Sequence, residues 1–243
     1  MKLNATAIEV EWMSAIALRA PGLLPQIYAS GRRLADVDVG WLVLQRTPHR
    51  FAPGSEADCR KLMLAAARFQ QVAREIDKAT YDPVDAAFFE WCLPEAINAG
   101  CPGPGEDVLA RLHRDISWAD ERFPRVRCHG DMHFDNAVAE APGGPLLLID
   151  PTPRLANWAW DAAYAQMLSG VARTPRLVPL LADARRSLGL PTGDPRAVER
   201  LETILLAWSS MLWWAIKPHR RDDPWFSAQV RRNVQRLASS ATS

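Results

Sequence analysis

Apolar residues recur at helical spacing near the start of the chain, and short runs of β-forming residues follow them. Residues 6–19 are predicted to form a helix that ends before Pro21. The positions predicted to face inward are Ile8, Trp12, Ile16 and Leu18. Residues 24–29 and 40–45 are rich in β-forming side chains, and the polar stretch between them predicts a hairpin or two adjacent strands.

Pro48 interrupts this pattern, and the chain beyond it changes character. We therefore predict a small N-terminal lobe with a hinge over residues 1–47 and a mainly helical lobe over residues 48–243. The second lobe opens with Ser55 and Asp58, a helix-capping sequence that is followed by apolar residues at helical spacing.

Further helices are predicted in the second lobe, with one hairpin among them. Asp82 and Pro83 are expected to cap and open a helix that Pro94 ends or kinks. The other predicted helices cover residues 108–121, 159–168, 177–188, 194–218 and 225–237. Strand-like runs interrupt them at residues 126–128, 137–139 and 146–149. A proline-glycine-glycine turn separates the last two runs and predicts a small hairpin, so the fold class is α+β.

Composition and charge exclude several classes of protein. The 243 residues are 48% apolar and 23% charged, which is ordinary for a globular protein. A net charge of +1 argues against a nucleic-acid partner. No apolar run approaches the ~18 residues that span a bilayer, and the acidic start is not secretory, so we expect no membrane association and a cytoplasmic location. The cysteines lack metal-binding spacing, and a bridge between Cys92 and Cys101 is the less favoured alternative.

Three polar residues in and around the predicted hairpin form one chemical unit. Asp131 follows a short apolar strand, Asn136 comes five residues later, and Asp150 ends the partner strand. Because a hairpin returns its two ends to the same side, Asn136 and Asp150 are expected to lie side by side. An amide oxygen and a carboxylate suit Mg²⁺, with phosphates and water completing the octahedron. Asp131 is then a candidate base for a substrate hydroxyl, and the combination favours phosphoryl transfer.

The motif His-Gly-Asp-x-His-x-x-Asn, followed by Ile-Asp-Pro and then Trp-Asp-Ala-Ala, resembles the aminoglycoside phosphotransferase superfamily. Its form is most similar to the aminoglycoside/hydroxyurea antibiotic resistance kinases of the streptomycin 6-kinase type. The resemblance covers residues 126–164 and implies a two-lobed protein-kinase-like fold that uses Mg²⁺ and ATP (or GTP).

The resemblance also implies a role for each matched residue. Asp131 would be the catalytic base, and Asn136 and Asp150 would be the metal ligands. His129 and Asp161 would support the loop without taking part in the chemistry.

The N-terminal lobe departs from the pattern of such kinases. No Gly-x-Gly-like segment precedes the first helix, so the lobe lacks a Gly-rich phosphate loop. Lys2 is the candidate for the strand lysine that holds the phosphates, with Glu9 or Glu11 as its helix partner. A start codon placed too late, a truncated but active kinase, and an inactive relic are three open explanations. The candidate hinge, whose backbone would hydrogen-bond adenine, consists of Leu44, Gln45, Arg46 and Thr47.

The leading hypothesis is an Mg-ATP-dependent O-phosphotransferase for a small hydroxylated molecule, with an aminoglycoside-type antibiotic among the candidates. Four acidic residues are candidates to meet a cationic substrate, although solvated surface is the default for each: Glu90, Glu95, Glu106 and Asp107. Trp208, Trp213 and Trp214 are expected in the core, with one of the last two as a candidate to line a pocket or an interface.

Two other hypotheses stay open at this point. The first is a catalytically silent kinase-like binding protein, which would form a homodimer through its short lobe. The second is a metal hydrolase that uses ligands from the set His129, Asp131, His133 and Asp135. The hydrolase is less favoured because it leaves Asn136, Asp150 and Asp161 without a role.

Overall fold

A computed structural model describes residues 1–51, 55–102, 106–168 and 175–239. Within them the helices are α1 (Ala7–Arg19), α2 (Glu56–Ala73), α3 (Ala86–Asn98), α4 (Glu106–Arg122), α5 (Trp160–Leu168), α6 (Leu177–Ser187), α7 (Pro195–Ile216) and α8 (Pro224–Ser239). The strands are β1 (Lys2–Leu3), β2 (Ile27–Gly31), β3 (Trp41–Leu44), β4 (His49–Arg50), β5 (Arg125–Cys128), β6 (Ala137–Ala139), β7 (Leu147–Leu148) and β8 (Arg154–Asn157). None of the described helices is long and apolar enough to cross a membrane.

The N-terminal part is a three-stranded antiparallel sheet, in the order β1-β3-β2, with α1 beside it. The predicted pairing of residues 24–29 with 40–45 is confirmed by the register of β2 and β3. Trp12 and Ile16 are fully buried, as predicted, and Thr6 caps α1 by accepting the Glu9 N–H at 3.1 Å. The inward placement of Leu18 is wrong, because its position in the last turn turns it away from the face of Ile16 and leaves it 80% exposed.

Several contacts attach this N-terminal part to the rest of the chain. The Trp12 indole N–H donates to the Ala79 carbonyl oxygen at 2.7 Å, and the Leu148 N–H donates to the Leu23 carbonyl oxygen at 2.9 Å. The second contact seats the loop after α1 directly on β7. The division at residue 47 stays a prediction.

The predicted start of α2 is confirmed, because Ser55 accepts the Asp58 N–H at 3.3 Å. The predicted start of α3 is wrong. Its cap is Asp85, which accepts the Phe88 N–H at 3.1 Å, whereas Asp82 precedes the helix. Pro94 lies inside α3 without ending it, because the carbonyl that it leaves unpaired belongs to Glu90 on the exposed face.

The predicted hairpin is confirmed, since β6 and β7 pair antiparallel with Ala137 opposite Leu148. Strand β4 adds to its other edge. Strand β8 was not predicted from the sequence, yet it pairs with β5 along its whole length. These two small sheets hold the residues of the candidate site between the helices.

The long helix α7 forms the centre of the helical part. Trp208 is fully buried, and Trp213 and Trp214 are also buried, which confirms their placement in the core. Because α3, α5 and α8 surround α7, it has no solvated side along its middle turns. All four cysteines are buried and free, so the alternative bridge between Cys92 and Cys101 is absent from the structure.

Candidate functional site

The candidate catalytic loop begins where β5 ends. Gly130 has φ +84°, and a Cβ atom there would lie 1.8 Å from the Thr152 carbonyl oxygen. Only glycine therefore fits this close approach of the loop to the segment before β8. The loop then continues through a 3₁₀ turn, Phe134–Asn136, into β6.

The Asp161 side chain anchors the candidate catalytic loop to α5. Its carboxylate accepts the backbone N–H groups of His129 and Gly130, both at 3.0 Å, from the first turn of α5. Burial raises the pKa of Asp161 to about 6, against the opposing effect of these hydrogen bonds. Gln70 adds a third donor at 3.4 Å. The geometry fits the supporting role that the resemblance implied.

His129 joins the loop to the hairpin. Its imidazole is completely buried, and Nε2 donates to the Ile149 carbonyl oxygen at 3.0 Å. Burial lowers the pKa of His129 to about 4, so the ring is neutral near pH 7. The ring also meets Phe69 edge-on at 5.4 Å between centroids. It therefore fixes the end of β7 against the loop.

The Asp131 carboxylate is held by two donors. Oδ2 accepts the Asn136 amide at 3.0 Å, and Oδ1 accepts the Tyr164 hydroxyl at 2.8 Å. Burial raises the pKa of Asp131, but the His133 ring, whose Nε2 lies 3.7 Å from Oδ2, and the hydrogen bond from Tyr164 outweigh it and bring the pKa to about 2. The group is an ionised carboxylate at neutral pH with about a third of its side chain exposed.

Tyr164 was not identified from the sequence as part of the site. It lies one turn after Asp161 on α5, so the helix carries both the clamp on the loop and a donor to Asp131. The signal available in the sequence was the position of Tyr164, three residues after Asp161, which matches the motif of the resembling family.

Asn136 and Asp150 lie at the open end of the hairpin, as predicted. The Ile149 N–H donates to the Asn136 carbonyl oxygen at 3.0 Å, which brings Asp150 beside Asn136. The Asn136 amide nitrogen is used by Asp131, so its side-chain oxygen is left as a ligand. Asp150 has φ +54°, a strained conformation for a residue with a side chain.

Lys2 reaches Glu9, one of the two partners suggested from the sequence, and also Asp150, which was not suggested for it. Its Nζ lies 2.6 Å from Glu9 and 2.9 Å from Asp150. Burial lowers the pKa of Lys2, but the hydrogen bonds to both carboxylates more than compensate and leave it raised. Glu11, the alternative partner, pairs instead with Arg32.

The candidate hinge continues from β3. The Gln45 N–H is already donated to the Gln26 carbonyl oxygen at 2.8 Å, and its side chain bonds Gln26 and Glu140. Among the described residues, Arg46 and Thr47 form no backbone hydrogen bonds, so their peptide groups are left for a ligand. Gln45 also borders a larger cavity of about 810 Å³, which is lined by α1, β2 and the hairpin but not by Asp131.

A smaller cavity of about 270 Å³ opens directly on Asp131. Its aromatic walls are Phe88, Trp91, Trp160 and Tyr164, and Arg154 adds a cation. Of the acidic residues suggested for a cationic substrate, Glu90 and Glu95 are exposed on α3 and do not line it, and the side chains of Glu106 and Asp107 lie outside the described residues.

The fold matches solved structures of small-molecule kinases. A microcompartment-associated aminopropanol kinase matches with a TM-score of 0.59 at 14% identity, over 96% of this chain and 80% of that one. An aminoglycoside phosphotransferase from Alicyclobacillus acidocaldarius subsp. acidocaldarius matches with a TM-score of 0.59 at 15% identity, over 98% and 84%. The GDP and kanamycin complex of APH(2")-IIia matches with a TM-score of 0.55 at 14% identity, over 96% and 83%.

No protein-family model and no curated protein sequence matches the chain. The structural matches show that the chain has the α+β, protein-kinase-like fold of small-molecule phosphotransferases. Aminoglycoside phosphotransferases are among the proteins that share this fold, in line with the resemblance in the sequence, whereas the streptomycin 6-kinase type stays a prediction. In the described residues of this chain, the reduced N-terminal lobe consists of three strands and one helix.

Proposed function

We propose that the protein is an Mg-nucleotide-dependent O-phosphotransferase for a small hydroxylated molecule. The observation that carries the proposal is a series of contacts: Lys2 with Asp150, the Ile149 N–H before Asp150 with Asn136, and Asn136 with Asp131. The contacts thus connect a group to hold phosphate, two oxygen ligands for a metal and a carboxylate base. Phosphoryl transfer needs these groups in this order. The aminopropanol kinase and the aminoglycoside phosphotransferases with the same fold support this reaction class.

The oxygen set of the site fits magnesium. Asn136 offers its amide oxygen, and Asp150 has a second carboxylate oxygen besides the one that faces Lys2. These two residues would hold the ion, and phosphate oxygens and water would complete its shell. A bound Mg²⁺ would neutralise charge on the transferred phosphate.

The residues of the chain supply positioning and the proton acceptor. The substrate hydroxyl enters from the aromatic cavity and gives its proton to Asp131, while its oxygen forms a bond to the γ-phosphorus. The bond from that phosphorus to the bridging oxygen breaks, and the nucleoside diphosphate leaves. Lys2 is placed to hold the phosphates, and the free backbone of Arg46 and Thr47 is placed to hold the adenine or guanine base.

The metal hydrolase hypothesis gains no support. Within the described residues, no group of three His, Cys, Asp or Glu side chains is arranged to hold a metal ion. A cytoplasmic location belongs to the proposal, because the cytoplasm supplies nucleotide and keeps cysteines such as the four buried ones reduced.

The proposal is tested in two stages. Calorimetry first measures the binding of ATP and of GTP with Mg²⁺, and labelled nucleotide then measures phosphate transfer to a panel of small alcohols. We expect binding of at least one nucleotide and transfer to at least one alcohol. No nucleotide binding at millimolar concentration would overturn the proposal, and binding without transfer to any alcohol would favour the silent binding protein.

A further inference from the structure

The cavity beside Asp131 has a charge balance that does not suit a polycation. Among the residues that line it, Asp131 is the single carboxylate and Arg154 is the single cation. Asp131 already accepts hydrogen bonds from Asn136 and Tyr164. The described residues of the lining therefore include no further carboxylate that could pair with an ammonium group of a substrate.

Arg154 forms no ion pair with a described carboxylate, although Asp82 and Asp131 lie near enough to interact with it electrostatically. Its guanidinium lies over the rings of Phe88 and Tyr81, at 5.1 and 5.7 Å from their centroids, and donates to the Asp82 carbonyl oxygen at 3.0 Å. No carboxylate of a described residue lies within ion-pair distance of it. A half-buried cation with free N–H groups in a cavity is a site for a carboxylate, which the planar guanidinium matches in shape.

The mouth of the cavity is apolar. Trp91 and Ile216 both line it and are 46% and 40% exposed, among the largest exposed apolar side chains of the chain. Inside, Phe88, Trp160 and Tyr164 form further aromatic walls. Exposed apolar residues around a concave site mark a surface that a ligand covers.

We propose that the acceptor is a small hydroxylated molecule with a flat apolar body and a carboxylate, which lies between the aromatic walls, pairs with Arg154 and presents its hydroxyl to Asp131. This inference rests on the proposed function, because Asp131 as the base defines where the hydroxyl lies. It excludes aminoglycoside-type polycations as preferred substrates.

The test compares three ligands of equal shape and different charge. These are 4-(hydroxymethyl)benzoate, 1,4-benzenedimethanol and 4-(hydroxymethyl)benzylamine, and kanamycin is added as a polycation. Binding is followed by tryptophan fluorescence and calorimetry without nucleotide, so that the outcome does not depend on phosphate transfer. We expect the carboxylate to bind about tenfold or more tightly than the neutral diol, and the amine and kanamycin to bind more weakly than both.

Arg154→Gln provides the decisive variant. It is expected to remove the preference for the carboxylate while the diol binds as before, which also shows that the cavity is intact. Arg127→Gln, on the neighbouring strand β5, is the matched control and should leave all affinities unchanged. An amine that binds as well as the carboxylate, a preference that survives in Arg154→Gln, or no binding of the carboxylate at millimolar concentration would each overturn the inference. A loss of nucleotide affinity in Arg154→Gln with unchanged carboxylate binding would also overturn it, because Arg154 would then serve the phosphates.

Discussion

Lys2 Nζ lies 2.9 Å from Asp150 Oδ1, although 148 positions separate the two residues along the chain. The contact joins the edge strand of the N-terminal sheet to the end of the hairpin that holds the candidate metal ligands. Glu9, whose side chain is only 8% exposed, completes the arrangement from α1. The first strand, the first helix and the hairpin thus meet at one ammonium group.

Replacing this ammonium group should weaken nucleotide binding. Lys2→Met is expected to reduce the affinity for Mg-ATP roughly ten- to hundredfold, because a charge-assisted contact to phosphate is lost. Lys78→Met, an exposed lysine without a resolved contact to the site, is the matched control. Calorimetric titration of both variants measures the difference.

A loss of stability must be separated from this effect, since Lys2→Met leaves the buried Glu9 carboxylate without its partner. The double variant Lys2→Met, Glu9→Gln removes that unpaired charge and should recover the free energy of unfolding without recovering nucleotide affinity. If the double variant binds Mg-ATP like the parent protein, Lys2 does not hold the phosphates.

Asp131→Asn should abolish phosphate transfer while substrate and nucleotide still bind. A positioned base contributes about 10²–10⁴-fold to the rate, and the amide that replaces it cannot accept the proton. Asp135→Asn is the control, because Asp135 lies in the same loop with 73% of its side chain exposed. Turnover measured at saturating nucleotide distinguishes the two variants, and an equal loss in both would remove Asp131 from its role as base.

The helices and the hairpin were predictable because their signals are local. The capping residues Ser55 and Asp58 lie within one helical turn at the start of α2. The turn residues between β6 and β7 predict the hairpin. The placement of Asn136 beside Asp150 followed from hairpin geometry alone. Such signals need no knowledge of the rest of the fold.

The features that were missed depend on contacts between distant segments. Strand β8 forms because β5 offers it a partner, and nothing in its own residues indicates a strand. Arg154 and the aromatic walls come together from two helices and a strand. Leu18 continues the apolar pattern of α1 in the sequence, yet it lies on a side of the helix that is not covered. Sequence spacing predicts faces of elements, whereas tertiary packing decides which faces are covered.

Gly130→Ala should damage the catalytic loop far more than Gly143→Ala. Both glycines have positive φ, +84° and +73°, so both substitutions carry a similar cost of about 1–2 kcal/mol for the left-handed conformation. A Cβ at Gly130 also meets the Thr152 carbonyl oxygen at 1.8 Å, whereas one at Gly143 meets nothing within 4 Å. We expect Gly130→Ala to lose at least about 2 kcal/mol more of the free energy of unfolding, measured with urea. Equal losses would show that the loop has room to move.

The buried pair His129 and Asp161 should give the stability a pH dependence made of two opposing parts. Burial lowers the pKa of His129 from 6.5 to about 4, so the unfolded chain takes up a proton first as the pH falls. The contribution of His129 is therefore complete above pH 6.5 and is lost as the pH falls through 4, by up to about 3 kcal/mol. Burial raises the pKa of Asp161 from 3.8 to about 6, so the folded state takes up that proton first. Its contribution is complete below pH 3.8 and is lost as the pH rises through 6.

Two variants separate these opposing parts when urea unfolding is compared at pH 7 and pH 4.5. His129→Gln keeps a donor for the Ile149 carbonyl oxygen but cannot titrate, so acidification should cost it less free energy of unfolding than it costs the parent protein. Asp161→Asn loses the group that gains a proton on folding, so acidification should cost it more than it costs the parent protein. The two variants must therefore deviate from the parent in opposite directions. A variant that does not deviate from the parent would mean that its buried group titrates near its ordinary pKa, and that the loop is less enclosed than its contacts with Phe69 and Gln70 indicate.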